Sequence, residues 1–311
     1  MKNVGLGEAT GKIILMGEHA VVYGEPAIAF PFNGTKICAT ITQSPENRLT
    51  SAYHTGFLAQ VAAPLTNLYE LTTRLQTDLA TPNLHLHLKS TIPAERGMGS
   101  SAAVAVAITR AFFDWQERPL SDQELLTYVN FSEQIAHGNP SGIDAATTSG
   151  QHPIYFRKNQ EIIPFPINLD AFLLVADTGI KGQTRAAVQS VAQLAQTKSA
   201  FTAEHLQQIG ALTKQAKKAI MHNQPETLGH LMTQAHRRLA ELEVSSPELD
   251  TYINIALTQG ALGAKLTGGG RGGCLIVLTK TKEEALRISE KLLLAGVQDT
   301  WLQGLGVYQY A

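Results

Sequence analysis

The sequence is short of several things, and each shortage closes a class of function. Charged residues make up only 16% of its 311 positions, and their signs nearly cancel to a formal net charge of −1. A nucleic-acid binder, or a protein that docks on an anionic membrane, needs the cationic excess that is missing here. Cysteine occurs twice, at Cys38 and Cys274, far apart and at no metal or redox spacing. Two inert thiols in a reducing compartment are the plain reading. No apolar run approaches the roughly 18 residues of a membrane span. Gly, Glu and Lys interrupt the opening stretch "MKNVGLGEATGKIILMGEH", where a signal peptide needs an unbroken apolar core. The expectation is a cytoplasmic protein without nucleic-acid or membrane partners. Hydrophobic residues, at 44%, supply ample material for a core.

Strand signals and glycine punctuation dominate the first half. "KIILMG" and "HAVVYG" are short apolar runs closed by Gly, and "HLHLKS" alternates as a half-buried strand does. A helix follows "ERGMGSS" to about Gln116, and a second opens at "SDQE", where Ser121 and Glu124 have capping-box spacing. "HPIYFRKNQEIIPFPI" reads as a hairpin turning near "KNQ", and "AFLLVADTG" as a buried strand. From Thr184 to about Gly260 the pattern is helical, in three or four amphipathic segments. Beyond it come a strand, a glycine loop and a strand, then a helix over "TKEEALRISEKLLLAG" and a closing strand over "TWLQGLGVYQY". The class is α+β with strands and helices mixed in both halves. A composition shift near 165–180 divides the chain into residues 1–165 and 166–311.

Four segments carry candidate chemistry. The first, "ERGMGSSAAVAVAI", places Gly97, Gly99, Ser100, Ser101 and Ala102 at the start of a helix. Gly97-x-Gly99-x-x-Ala102 matches the dinucleotide fingerprint, and Glu117 lies twenty positions past Gly97. That reading fails, because Ala102–Gln116 is one helical run with no strand before the acid. A Walker loop is excluded too, since no G-x-x-x-x-G-K-[ST] occurs anywhere. What remains is a helix start whose free N–H groups and dipole attract a polyanion, or a serine that simply caps a helix.

The second segment, "KLTGGGRGGC", has five glycines in six positions, including Gly268 and Gly269. A hairpin turn needs far fewer; the excess points to a backbone folded closely around a ligand, or to a mobile loop. The third, "HGNPSGID", offers Asp144 after a proline turn, as a functional acid or a helix cap. The fourth, "GKIILMGEHAVVYG", sets Lys12, Glu18, His19 and Tyr23 among apolar neighbours. Two further features carry little. His85 and His87 share a strand face without a third ligand, and "KQAKKAIMHN" reads as the polar face of an amphipathic helix.

Together the four segments resemble the family of small-molecule kinases that includes galactokinase, homoserine kinase, mevalonate kinase and phosphomevalonate kinase. The order matches: a Lys- and Glu-bearing N-terminal motif, then P-x-x-x-G-x-G-S-S-A over Pro93–Ala102, then the late glycine loop. "GEHAVVYG" and "HGNPSGID" are similar to the branch of that family acting on mevalonate. Galactokinases carry a sugar-recognition stretch of the "GEHTDYN" kind, and homoserine kinases lack the arrangement from His19 to Tyr23. The resemblance implies a two-domain fold with the active site between the domains, ATP and Mg²⁺, and no macromolecular partner beyond a homodimer.

Residue by residue, it implies Asp144 as catalytic base with Lys12 beside it. It implies Ser101 and Glu133 at the magnesium ion. The cradle residues Gly97, Gly99, Ser100, Ser101 and Ala102, with Gly268 and Gly269, fall at the ATP phosphates. Glu18 and His19 fall at the alcohol substrate, and Arg185, in "GQTRAAV", is the candidate partner for a substrate carboxylate or a solvated helix-start arginine. Three departures stand out: Thr10 where the family has proline, Gly269 where alanine is common, and Arg271 where glycine is common. A sister kinase on another alcohol and a catalytically silent nucleotide-binding relative are the competing readings.

Overall fold

The computed structural model describes residues 1–306 apart from Asn139, Gln151, Asn159, Glu161 and Asn168. The chain forms two compact units. The first comprises Met1–Lys12, Thr35–Pro93 and Gly99–Gly150; the second comprises Ile13–Gly34, Ala94–Met98 and Gln151–Ala311.

In the first unit, β1 (Val4–Met16) begins, and β2 (Ala27–Gln43), which pairs with it, ends. Short strands β3 (Arg48–Thr50) and β4 (Thr55–Phe57) form an antiparallel pair. Helix α1 (Thr66–Leu79) then leads to β5 (Leu84–Ser90), which lies antiparallel to β2 and parallel to β3. Alternation works as expected in β5: Leu84, Leu86 and Leu88 are buried, while His85 and His87 face outward. His85 is held there by Thr50 Oγ1 at 2.8 Å. Helices α2 (Ser100–Trp115), α3 (Asp122–His137) and α4 (Ile143–Ser149) complete the unit. The early strand is built to receive α2. A Cβ on Gly7 would sit 2.0 Å from the Ala107 carbonyl oxygen, so only glycine lets strand and helix backbones approach so closely. The capping box read at Ser121 and Glu124 is present, with both reciprocal bonds.

In the second unit, the N-terminal part of β2 pairs with β6 (Ile154–Phe156), and β6 turns back on β7 (Ile163–Pro164). This is the expected hairpin, though Asn159 of its "KNQ" turn lies outside the described residues. An antiparallel sheet follows the order β11-β8-β10-β9, where β8 is Phe172–Asp177, β9 Gly263–Thr267, β10 Cys274–Thr279 and β11 Asp299–Gly304. Four helices, α5 (Thr184–Thr197), α6 (Ser199–Met221), α7 (Pro225–Glu241) and α8 (Pro247–Thr258), precede β9, and α9 (Lys282–Leu294) joins β10 to β11. The closing strand pairs with β8; the 307–311 part of that stretch lies outside the described residues. The core of this unit gathers Leu174, Ala176, Leu266, Leu275 and Val277 from the sheet against Val191, Leu239 and Ile253 from the helices.

The α+β class holds in both units. One local expectation changes, and one element had no reading in the sequence. "HAVVYG" is a 3₁₀ turn over Ala20–Tyr23 and not a strand, because His19 (φ 59°) and Gly24 (φ 86°) bend the chain at both ends. Helix α1 has an unmarked start, with no side-chain cap. Its signal was the burial period of Leu68, Leu71, Thr72 and Leu75.

Candidate active site

The first unit brings seven of the expected residues together. Lys12, on β1, is only 2% exposed, and its ammonium lies 2.9 Å from Oδ1 of Asp144, which is 35% exposed in the first turn of α4. Gly99 caps α2 in the left-handed region (φ 69°), and a Cβ there would fall 2.7 Å from Lys12 Cγ. The lysine stem thus runs directly under the cradle. No side chain caps α2, so the capping-serine reading gives way: Ser100, Ser101 and Ala102 form the first helical turn, whose N–H groups no capping side chain takes up.

Glu133 projects from α3 and is nearly fully buried. Its carboxylate accepts a hydrogen bond from the Ser101 side chain, His137 Nε2 lies 3.7 Å from Oε2, and Oε1 has no hydrogen-bond partner. Burial pushes the Glu133 carboxyl up to about 7, and the negative charge of Asp144 adds to that; Ser101 and Lys12 pull the other way. Asn67, on α1, supports the neighbourhood by donating to Ser132 Oγ at 3.0 Å and Ser101 Oγ at 3.5 Å.

The second unit holds the other set. Gly97 meets the late glycine loop backbone to backbone: a Cβ there would lie 3.1 Å from the Thr267 carbonyl oxygen and 3.2 Å from Gly268 Cα. Arg96 anchors this stretch through Asp177 Oδ1 at 2.7 Å and the Gly179 carbonyl at 2.9 Å. His19 is buried, and its Nε2 lies 3.0 Å from the Gly269 carbonyl. A carbonyl only accepts, so Nε2 carries the proton and Nδ1 is left as an acceptor. Burial lowers the imidazole to about 4, with the Arg271 and Lys265 charges adding to the effect against the Gly269 bond. Glu18 is buried in an ion pair with Lys265. Arg185 lies exposed in the first turn of α5, beside Thr184, which fills the space a side chain on Gly269 would need.

Arg271 also has a clear place. At φ 55° it turns its guanidinium away along the unit, donating from Nε to the Glu243 carbonyl (3.1 Å) and from Nη2 to Ser190 Oγ (2.8 Å). Sequence reasoning missed Lys265, Arg96 and Asn67. A lysine inside the apolar run "GAKLT" was the one visible sign of the first; the other two had none.

Models of the GHMP kinases match the chain twice, the N-terminal domain over residues 65–151 and the C-terminal domain over 216–298. The chain belongs to the GHMP kinases. Within that class it is similar to the mevalonate kinase of Aeropyrum pernix, at 31% identity over 91% of each chain. Among solved structures, mevalonate kinase from methicillin-resistant Staphylococcus aureus is 34% identical, with a TM-score of 0.74 over 98% of this chain and all of that one. The L. major mevalonate kinase in complex with R-mevalonate is 27% identical, with a TM-score of 0.80 over 97% and 94%.

Proposed function

We propose that the protein transfers the γ-phosphoryl group of ATP to the C5 hydroxyl of (R)-mevalonate, giving 5-phosphomevalonate and ADP, the kinase step of the mevalonate route to isoprenoids. The observation that carries this reading is the Lys12–Asp144 pair, a buried cation against a half-exposed carboxylate. Phosphoryl transfer passes through a loose transition state, so the protein's work is positioning and electrostatic stabilisation. Asp144 accepts the hydroxyl proton as the new P–O bond forms. Lys12 holds the Asp144 carboxylate in place and stabilises the negative charge developing on the attacking oxygen.

The first turn of α2 with Gly99 is assigned to the phosphates, and so, as the family pattern implies, are Gly97, Gly268 and Gly269. Glu18 and His19 position mevalonate. The Nδ1 lone pair of His19 is suited to a hydroxyl donor, and Arg185 to the carboxylate. Ser101 and Glu133 fit Mg²⁺: a buried carboxylate whose Oε1 has no hydrogen-bond partner and whose pKa is raised by burial would be stabilised in its charged form by a hard divalent cation. When bound, that ion neutralises phosphate charge. The ATP-binding residues cluster mainly in 1–165, with 166–311 supplying the late loop. No helix among the described residues is long and apolar enough to cross a membrane.

The test is ADP release with mevalonate, phosphomevalonate, homoserine and galactose in parallel. Mevalonate alone should support turnover. Turnover on another of the four overturns the substrate assignment, and ATP binding without turnover on any overturns the catalytic one.

A further inference from the structure

Strand β9 has no outward face. All five residues from Gly263 to Thr267 are buried, and the middle one is Lys265, at 0% exposure. A lysine in that position is among the least expected of buried residues, since its charge must be matched inside the protein. Its ammonium pairs with Oε1 of Glu18, itself 1% exposed, and donates to the Leu266 carbonyl at 2.7 Å. The next side chain with a polar atom, Thr267, donates to the Ile14 carbonyl at 2.9 Å, and the Gly269 carbonyl receives the His19 ring at 3.0 Å. Residues 14–19 are therefore fastened to residues 265–269 at three points. His19 lies at the end of that segment in a backbone conformation (φ 59°) that a non-glycine residue adopts only when its surroundings impose it.

We propose that Lys265 is a positioning residue for the kinase reaction: by holding Glu18 it fixes the turn that presents the His19 ring, Nε2 toward Gly269, to the alcohol substrate. A purely structural role is the poorer account, because hydrophobic residues of similar volume commonly replace a buried ion pair at no loss of stability. What such a replacement does not supply is a directional hold on the residue next to His19. The inference rests on the reading of His19 as a mevalonate-positioning residue, and its experiment separates the two.

Lys265→Met removes the ammonium, and Lys265→Gln keeps a donor for Glu18. Two readouts are taken on the full chain. In the first, ¹⁵N-labelled histidine resonances report the His19 tautomer without substrate: a single Nε2–H form in the parent, a mixture in Lys265→Met, and a return toward the parent in Lys265→Gln. In the second, steady-state kinetics compare the two substrates. Loss of alignment of this kind reduces rates by about a hundredfold for a displacement near 1 Å, so kcat/KM for mevalonate should fall at least about tenfold in Lys265→Met while the KM for ATP stays within about twofold. If Lys265→Met does not fold, Lys265→Met/Glu18→Gln, which leaves no unpaired buried charge, carries the ring readout against the parent with the same expected mixture of tautomers. Unchanged ring signals, or equal rises in both KM values that track a fall in melting temperature, overturn the proposal. Shifted ring signals with kcat/KM for mevalonate unmoved leave Lys265 holding His19 but overturn the role of His19, and with it Lys265's place in the reaction.

Discussion

Lys12 and Asp144 stand 2.9 Å apart, one nearly sealed beneath the cradle and the other half open to the solvent. This asymmetry suits a base that has to reach a substrate while its countercharge stays fixed. Asp144→Asn and Lys12→Met should each lower kcat by about 10²–10⁴-fold, the usual range for removing an acid–base group, with little change in the KM for ATP. Steady-state kinetics with mevalonate check this, and near-native turnover in Asp144→Asn removes it from the base role.

Glu133 gives a pH dependence of defined sign. Its folded value of about 7 lies above the ordinary 4.5, so the proton is held more tightly in the folded state. That stability is complete below the ordinary value and is lost as pH rises through about 7. Without Mg²⁺, the melting temperature should fall between about pH 5 and 8, and Glu133→Gln should flatten the fall. Binding of Mg²⁺ and ATP should release a proton near pH 7, seen by calorimetry in buffers of different ionisation heat.

Thr184 leaves no room for a side chain at Gly269. A Cβ at 269 would lie 2.3 Å from Thr184 Oγ1 and 2.6 Å from Thr184 Cα. Gly269→Ala should destabilise by about 1–3 kcal/mol, as overpacking does. Adding Thr184→Ser should not restore it, because the clash with the backbone of residue 184 remains; urea unfolding of both variants decides.

Arg271 pairs a strained backbone with two side-chain hydrogen bonds. Left-handed φ disfavours a non-glycine residue by roughly 1–2 kcal/mol, and each hydrogen bond returns about 0.5–1.5 kcal/mol. Arg271→Gly should therefore leave global stability within about 1 kcal/mol of the parent. It should speed amide exchange in the 268–273 loop, where the guanidinium ties to Ser190 and Glu243 are lost. A stability loss well beyond that range would show that the ties outweigh the strain.

Much of this was legible in sequence because it is local. β5 alternates, Ser121 caps its helix with the expected glutamate three residues on, and the glycines mark the two loops. Helix α1, lacking a capped start, and the 3₁₀ turn after His19, set by two residues with positive φ, were not. The family pattern picked out Lys12, Glu133 and Asp144 by type and order, and the fold puts Lys12 against Asp144 as that pattern implies.

The sequence by itself determined which groups are available: a lysine, two acids, a serine at a helix start, a histidine before a turn, and glycines where backbones must meet. Tertiary structure decided their states. Lys265 and Glu18 find each other across 247 positions of chain, a pairing no local pattern encodes. Glu133 is an ordinary glutamate until burial near Asp144 raises its pKa, and His19 has two competing tautomers until the Gly269 carbonyl selects one. Protonation and tautomer answer to the surrounding dielectric, charge and hydrogen-bond partners. Only the folded chain assembles those surroundings.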